Sequence, residues 1–384
     1  MQVSRKFHIF TLYKNLTIMN LIFDGHYFFY KTLFAFGGYA STKKLLNSKK
    51  EQEMFVRKVA TDVSHAIRNF EHPTKVVFTF DSRSWRKDIP METDDINYKG
   101  NRTKDDSVNW ENFYQSINDF AEIIKEKGFI VSKEKSAECD DLLYLWSDQF
   151  FKAGEDSVII TGDGDMKQCV RHNNKNFVVA FNPNSKSRKL IVPTGFSKWI
   201  EAAASHFDLF DANTFINASK DVISGLMRKV EVEEINTHKF IIEKIIIGDS
   251  GDAVPPIWSW KKGEKTYKIT PQKAGLIYAD LPVDVKVMDL KLYTETISAG
   301  ITNYCKQTAG IEELRARIER NVKLVYLNSD VIPETIQEDF HKTYKLFGSQ
   351  RLKITKYDIN TLLSGTKFIT EKKSFSSDFF SNFE

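Results

Sequence analysis

Acidic side chains that close apolar segments are the residues of this chain best suited to chemistry. Asp24 ends LIFDG and Asp81 ends VVFTFD. Glu138, Asp140 and Asp141 stand together in AECDDL, and Asp163 and Asp165 in VIITGDGD. GDSGD adds Asp249 and Asp252. One Asp after a strand is an ordinary turn residue, and acids in a first helical turn are ordinary partners of the helix dipole. Neither explanation calls for acids after three separate strands and again at a late helix end. Carboxylates gathered in one pocket raise one another's pKa unless cations neutralise them. An all-oxygen set of this kind suits hard divalent cations such as Mg²⁺. Metal-assisted hydrolysis of phosphodiesters is the chemistry it implies.

A second group is basic and aromatic. Arg83, Trp85, Arg86, Lys87, Tyr98, Lys99, Asn101, Arg102 and Lys104 lie in the polar stretch 82–109 that follows the Asp81 strand. Lys and Arg can hold a scissile phosphate and stabilise charge that grows on it. Tyr98 or Trp85 can stack on an unpaired base. An exposed polar loop is the plainer alternative, and its place beside the acids weighs against it. Two more basic runs follow. Residues 258–275 carry Lys261, Lys262, Lys265, Lys268 and Lys273 against Glu264 alone. Residues 341–357 carry Lys342, Lys345, Arg351, Lys353 and Lys356 with no acid. A basic surface around an acidic pocket suits a phosphate polymer; solvated helix faces explain either run taken singly.

The elements that must position these groups follow from periodicity. Strands are expected at 21–25, 75–81, 129–131, 157–162 and 177–181. Helical spacing marks 51–70, 110–127 and about 138–151. Alternation of this kind predicts an α/β fold with a mainly parallel central sheet flanked by helices. Ligands in such sheets bind beyond the carboxyl ends of the strands, where these acids fall. The stretch 82–109 is too long for an ordinary connection. After about residue 195 the pattern turns mainly helical, with a helix over 238–247 just before GDSGD.

Composition narrows the classes. The chain has 384 residues, 28% charged and 41% hydrophobic, with a net charge of +4; these values suit a globular chain of two domains, or of one domain with an elaborated helical half. Cys139, Cys169 and Cys305 show no zinc or disulfide spacing, which points to a reducing compartment. No apolar run reaches the ~20 residues of a membrane span. Residues 1–18 lack the apolar core of a signal peptide. They read as an N-terminal arm, or as a non-native start upstream of Met19.

LIFDG, FDSRSWRKD, YKGNR, ECDDL, VIITGDGDMKQ and GDSGDAVP together resemble the motifs of the flap endonuclease / 5′-3′ exonuclease superfamily, in its order and at similar spacing, over roughly residues 20–256. SWRKD followed by YKGNR points to the branch of the T-even bacteriophage ribonucleases H. The resemblance implies a PIN-like nuclease domain over 19–195, with a helical arch at about 82–109. It implies a mainly helical, duplex-binding region over 196–370 and an aromatic tail at 371–384. Asp24, Asp81, Glu138, Asp140 and Asp163 would bind or surround a first Mg²⁺, and Asp165, Asp249 and Asp252 a second, with Mn²⁺ able to substitute. Asp141 belongs to the same motif. Lys99 and Arg102 would face the scissile phosphate. Arg83, Arg86, Lys87, Tyr98, Lys104, Lys261, Lys262, Lys265 and Lys268 would contact nucleic acid.

One departure from the family pattern stands out. The Gly-rich turn that follows the late acids in many relatives is replaced by AVPPIWSWKKGEKTYKITPQKAG, basic and Trp-containing.

The expected activity is a metal-dependent 5′→3′ exonuclease and flap endonuclease that removes RNA primers and adjacent DNA during replication. Its substrates would be branched or nicked DNA and RNA–DNA duplexes with 5′ ends. The chain would act as a monomer in the cytoplasm, that of an infected bacterial host if phage-encoded. Two rivals are a PIN-type single-strand ribonuclease, which usually lacks the arch and the late acids, and a non-catalytic, structure-specific DNA-binding scaffold. The tail SFSSDFFSNFE resembles aromatic peptides that dock on sliding clamps; packing of its Phe residues on the chain itself is the alternative. A single-strand-binding protein is a further partner suggested by the resemblance.

Overall fold

Apolar runs with no polar face need cover on both sides, and they form the centre of the sheet. In a computed structural model, the chain is described over residues 19–37, 45–70, 73–91, 97–184, 188–205, 218–282 and 286–348. The N-terminal arm and the aromatic tail lie outside these residues, as does the end of the 341–357 basic run.

Strand β1 (Met19–Asp24) is buried throughout, as are β2 (Lys75–Thr79) and β4 (Asp156–Ile160). With β3 (Ile130–Ser132) and β6 (Phe177–Asn182) they pair in parallel, in the order β3-β2-β1-β4-β6. The short β5 (Arg171–His172) and β7 (Lys189–Pro193) pair antiparallel to β6. Strand β8 (Glu231–Ile235) then adds parallel to β7. The sheet therefore reaches past the boundary expected near residue 195. The alternating charge of EVEEI hides β8 from a search for apolar runs.

Alternation along the strands feeds two cores. Leu21, Phe23, Val76, Phe78, Val158 and Ile160 point to one side. There they meet helices α1 (Gly25–Gly37), α2 (Lys49–Ile67) and α3 (Trp110–Glu126). Helix α2 starts where the sequence offers Ser48 and Glu51: the Glu51 N–H donates to Ser48 Oγ at 3.2 Å, and the Ser48 N–H donates to Glu51 Oε2 at 2.9 Å. This is a capping box. Ile22, Val77 and Ile159 face the other side, against α4 (Cys139–Lys152). The final described helix, α11 (Glu334–Phe347), returns to this layer and sets Ile336 and Phe340 beside Trp146.

A third core gathers helices α7 (Thr237–Ile247), α8 (Pro271–Ala279), α9 (Leu290–Gly300) and α10 (Ile311–Val325). Helices α5 (Phe196–Ser205) and α6 (Ala218–Met227) join the first core through Phe196, Ile200, Ile223 and Leu226. The Trp-containing insertion forms an antiparallel hairpin of β9 (Ser259–Lys262) and β10 (Lys265–Lys268), turning at Gly263 with φ 63°.

The stretch 82–109 differs from the expected helical arch. Its described residues contain one short 3₁₀ helix, Trp85–Asp88, and no α-helix. They lie down across the acids, because Arg86, Tyr98, Lys99 and Arg102 each find carboxylate partners there. No described helix is long and apolar enough to cross a membrane.

Candidate metal centre

The strand order reverses direction between β1 and β4, which opens a crevice at their carboxyl ends. Asp24 is the last residue of β1, Asp81 follows β2 by two residues, and Asp163 follows β4 by three. The N-terminus of α4 brings Glu138 and Asp140 to the same place.

Asp24 is held by three groups. Its Oδ1 accepts from the Tyr27 N–H at 2.9 Å, in the first turn of α1, and lies 3.3 Å from Cys139 Sγ. Its Oδ2 accepts from Thr161 Oγ1 at 2.8 Å. Gly25 has to be glycine at this junction, since a Cβ there would lie 2.4 Å from the Phe80 ring. Asp81 Oδ1 accepts from the Cys139 N–H at 2.7 Å, and the Asp81 N–H donates to His26 Nδ1 at 3.1 Å. Asp163 Oδ1 accepts from the Asp165 N–H at 2.8 Å, capping the 3₁₀ turn Gly164–Gln168. Burial pushes the Asp24 carboxyl above its ordinary range, with Asp81 and Asp163 adding repulsion. Burial does the same to Asp140, reinforced by Asp163. Among the described residues, Asp24, Asp81, Asp140 and Asp163 form no ion pair with a Lys or Arg.

The neighbouring half is different. Lys99 Nζ pairs with Glu138 Oε1 and lies 3.8 Å from Asp252 Oδ2. Arg102 pairs with Asp252 Oδ1, and Tyr98 donates its hydroxyl to Glu138 Oε2 at 3.1 Å and to Asp252 Oδ2 at 3.2 Å. Burial acts to raise Glu138, but Lys99 and Arg86 hold it below its ordinary value. Lys244 pairs with Asp165 and, at 2.9 Å, with Asp249. Burial still pushes Asp165 up to about 6. Asp249 is held below its ordinary value by Lys244, against burial. Lys99 sits at φ 58°, and its N–H donates to the Asp252 carbonyl at 2.8 Å. This left-handed turn aims Nζ into the acids.

Three expected roles change with the tertiary structure. Asp141 is turned away from the other acids. It is fully buried and chelates Arg86, with Nη2 to Oδ1 at 2.7 Å and Nη1 to Oδ2 at 3.1 Å. Its Oδ2 also accepts from Trp85 Nε1 and from the Glu138 N–H, each at 3.1 Å. Arg86 is 1% exposed and spans Asp141 and Glu138, so it is an internal anchor and no nucleic-acid contact. Tyr98 is 5% exposed, with its ring in the third core, so no base can stack on it.

The remaining basic residues stay outside. Arg83 is exposed and clasps Asp88 at 2.9 and 2.5 Å, and Lys87 is exposed. Lys104 lies over the rings of Trp110 and Tyr114, at 5.7 and 5.0 Å. Asn101 Nδ2 donates to the Ser250 carbonyl at 2.9 Å, tying the strap to the late acidic loop. In the hairpin, register divides the lysines. Lys262 and Lys265 share a face with Trp260 and Tyr267, stacked at 6.0 Å, while Lys261 and Lys268 take the other. Sequence reading passed over Thr161, Cys139 and His26, which hold Asp24 and Asp81. It also passed over Lys244, whose signal was a lone cation among isoleucines in FIIEKIII.

The donor set fits a hard cation. It is all oxygen, two members carry raised pKa values, and four have no Lys or Arg partner among the described residues. Among the described residues no three acid, His or Cys side chains already converge as a ligand cage. Asp163 is exposed and Asp81 and Asp140 are half-exposed, so an ion has access to them.

Comparison with known proteins places this architecture. Residues 19–198 match the family of 5′-3′ exonuclease N-terminal, resolvase-like domains. The match covers a little under half of the chain and assigns that stretch to a domain of this kind. Among solved structures, it is similar to the bacteriophage T5 flap endonuclease in a pseudo-enzyme–product complex with DNA and metal ions. There the identity is 17% and the TM-score 0.50, over 90% of this chain and 98% of that one. The T5 protein co-crystallised with metal ions aligns at 16% identity and a TM-score of 0.49, over 90% and 99%. The shared fold is a mostly parallel central sheet flanked by helices. A search of curated proteins gave no match.

Proposed function

We propose that this chain is a Mg²⁺-dependent 5′→3′ exonuclease and flap endonuclease that removes RNA primers and adjacent DNA in replication. The observation that carries this reading is the division among the acids. Asp24, Asp81, Asp140 and Asp163 meet at one edge of the sheet with no Lys or Arg paired to them among the described residues, while Lys99 and Arg102 stand beside them. A divalent cation bound among these four would offset part of their negative charge and supply Lewis-acid help at a scissile phosphate. Asp24 is pre-oriented by Tyr27 and Thr161, and Asp81 by the Cys139 N–H. Lys99 and Arg102 are placed to exchange Glu138 and Asp252 for phosphate oxygens and to stabilise charge that develops there. The hairpin lysines supply contacts to the duplex backbone.

Incubation of the chain with a 5′-labelled primer–template and a 5′-flap duplex tests this directly. Cleavage is expected in Mg²⁺, none in EDTA, and recovery on adding excess Mg²⁺. Full activity in EDTA would exclude the metal role. Cutting confined to single-stranded RNA would favour a PIN-type ribonuclease, and binding of flaps without any cutting would favour a scaffold.

Lys99→Ala separates chemistry from binding. Single-turnover cleavage is expected to slow by about 100-fold or more, as for removal of one transition-state donor. Flap affinity, read by anisotropy in Ca²⁺, is expected to change by less than about threefold, because one phosphate contact among many is lost. A pure affinity loss would place Lys99 in the binding track.

A further inference from the structure

Lys244 is a buried cation placed where the second metal half is expected. Its side chain is 10% exposed. It rises from α7 between Ile241, Ile242, Ile245 and Ile246, all buried. An ammonium in such surroundings is costly unless paired. Its partners are Asp165 and Asp249, and both backbones are fixed. Asp165 lies in the 3₁₀ turn Gly164–Gln168, which packs against α7. Asp249 exchanges two backbone hydrogen bonds with Val254, at 2.9 and 2.7 Å. Gly248, at φ 72°, makes that reversal; a Cβ there would lie 2.3 Å from the Val254 carbonyl oxygen. Asp252, the remaining acid of this half, is engaged by Arg102, Tyr98 and Lys99. This half is thus paired with the chain's own cations, whereas Asp24, Asp81, Asp140 and Asp163 have no Lys or Arg partner among the described residues.

We propose that Lys244 is a positioning residue that stands in for a second divalent cation, its ammonium bridging Asp165 and Asp249 so that a second ion binds only by displacing it. The proposal rests on the metal-dependent reading above. A dication next to an ammonium in a partly dry cleft is strongly repelled. The first half therefore fills first. The second half keeps its shape without metal and accepts an ion only when Nζ swings out.

Mn²⁺ titration of the full chain without nucleic acid, read by electron paramagnetic resonance, tests this. Wild type is expected to bind one Mn²⁺ tightly and a second at least about tenfold more weakly. Lys244→Met, and Lys244→Gln as a second variant, are expected to tighten the second ion by about tenfold or more. Lys244→Arg is expected to restore the gap. The rise in Tm produced by Mn²⁺ should be larger in the Met and Gln variants than in wild type, since more ion binds the native state. A lysine that merely props the fold would lower Tm without changing the second affinity. Unchanged or weakened second binding in Met and Gln, with the first ion still tight, overturns the Lys244 proposal alone. Absence of any Mn²⁺ binding by wild type overturns this proposal and the metal reading together.

Discussion

Asp163→Asn is expected to cut flaps and primer–templates at least about a thousandfold more slowly than wild type, a loss of about 4 kcal/mol of transition-state stabilisation. The substitution is nearly isosteric. Asn keeps an Oδ1 that can accept the Asp165 N–H, now at 2.8 Å, so the turn at Gly164–Gln168 stays capped. Asp163 is also exposed, so folding loses little. What disappears is one of four carboxylate charges that have no Lys or Arg partner among the described residues. A hard cation is held mainly by anionic oxygen. Cleavage under single-turnover conditions in Mg²⁺, with flap binding measured in Ca²⁺, checks it. Normal turnover would contradict the metal assignment; equal loss of binding and cleavage would point to a role in docking.

The second large effect concerns stability. Arg86→Ala is expected to lower the free energy of unfolding by about 3–5 kcal/mol, the usual cost of stranding buried charges. The guanidinium fork satisfies Asp141 through two nitrogens and Glu138 through one, and stacks on Trp85 at 4.7 Å. Removing it leaves a carboxylate with no exposed surface and a second with almost none. It also frees the strap that carries Lys99 and Arg102, so cleavage should fall as well. Urea denaturation of the variant at neutral pH gives the number. Unchanged stability with weakened DNA binding would return Arg86 to the surface role suggested by its neighbours Arg83 and Lys87.

The contrast between Arg86 and Lys87 shows where reading a sequence stops. Both lie in SWRKD, and nothing local separates them. One is buried and one exposed because the 3₁₀ turn Trp85–Asp88 presents a single face to α4. Asp140 and Asp141 divide in the same way. Adjacent positions on a helix point about 100° apart, so Asp140 faces the acids and Asp141 faces Arg86. Helix phase decides this, and the phase is set by the packing of Leu142, Leu143 and Trp146. The tyrosine of YKGNR was legible as an aromatic beside basic residues, but its burial depends on a third core assembled from helices 140 residues further on. Strand β8 stayed hidden because an edge strand tolerates the charges of EVEEI.

What the sequence determined by itself was the sheet and the address of its acids. Runs such as NLIFD and SVIIT are apolar on both faces, so they must be covered on both, and an acid at the end of each must emerge at one edge. Local patterning carries that much, because strand burial is a short-range consequence of side-chain type. Only the tertiary structure decided how charge is shared among those acids. Lys99, Arg102 and Lys244 reach Glu138, Asp252, Asp165 and Asp249 across separations of up to 153 residues. Pairings of that kind depend on distance in space, because charge–charge attraction weakens with separation, and they leave no periodic trace along the chain.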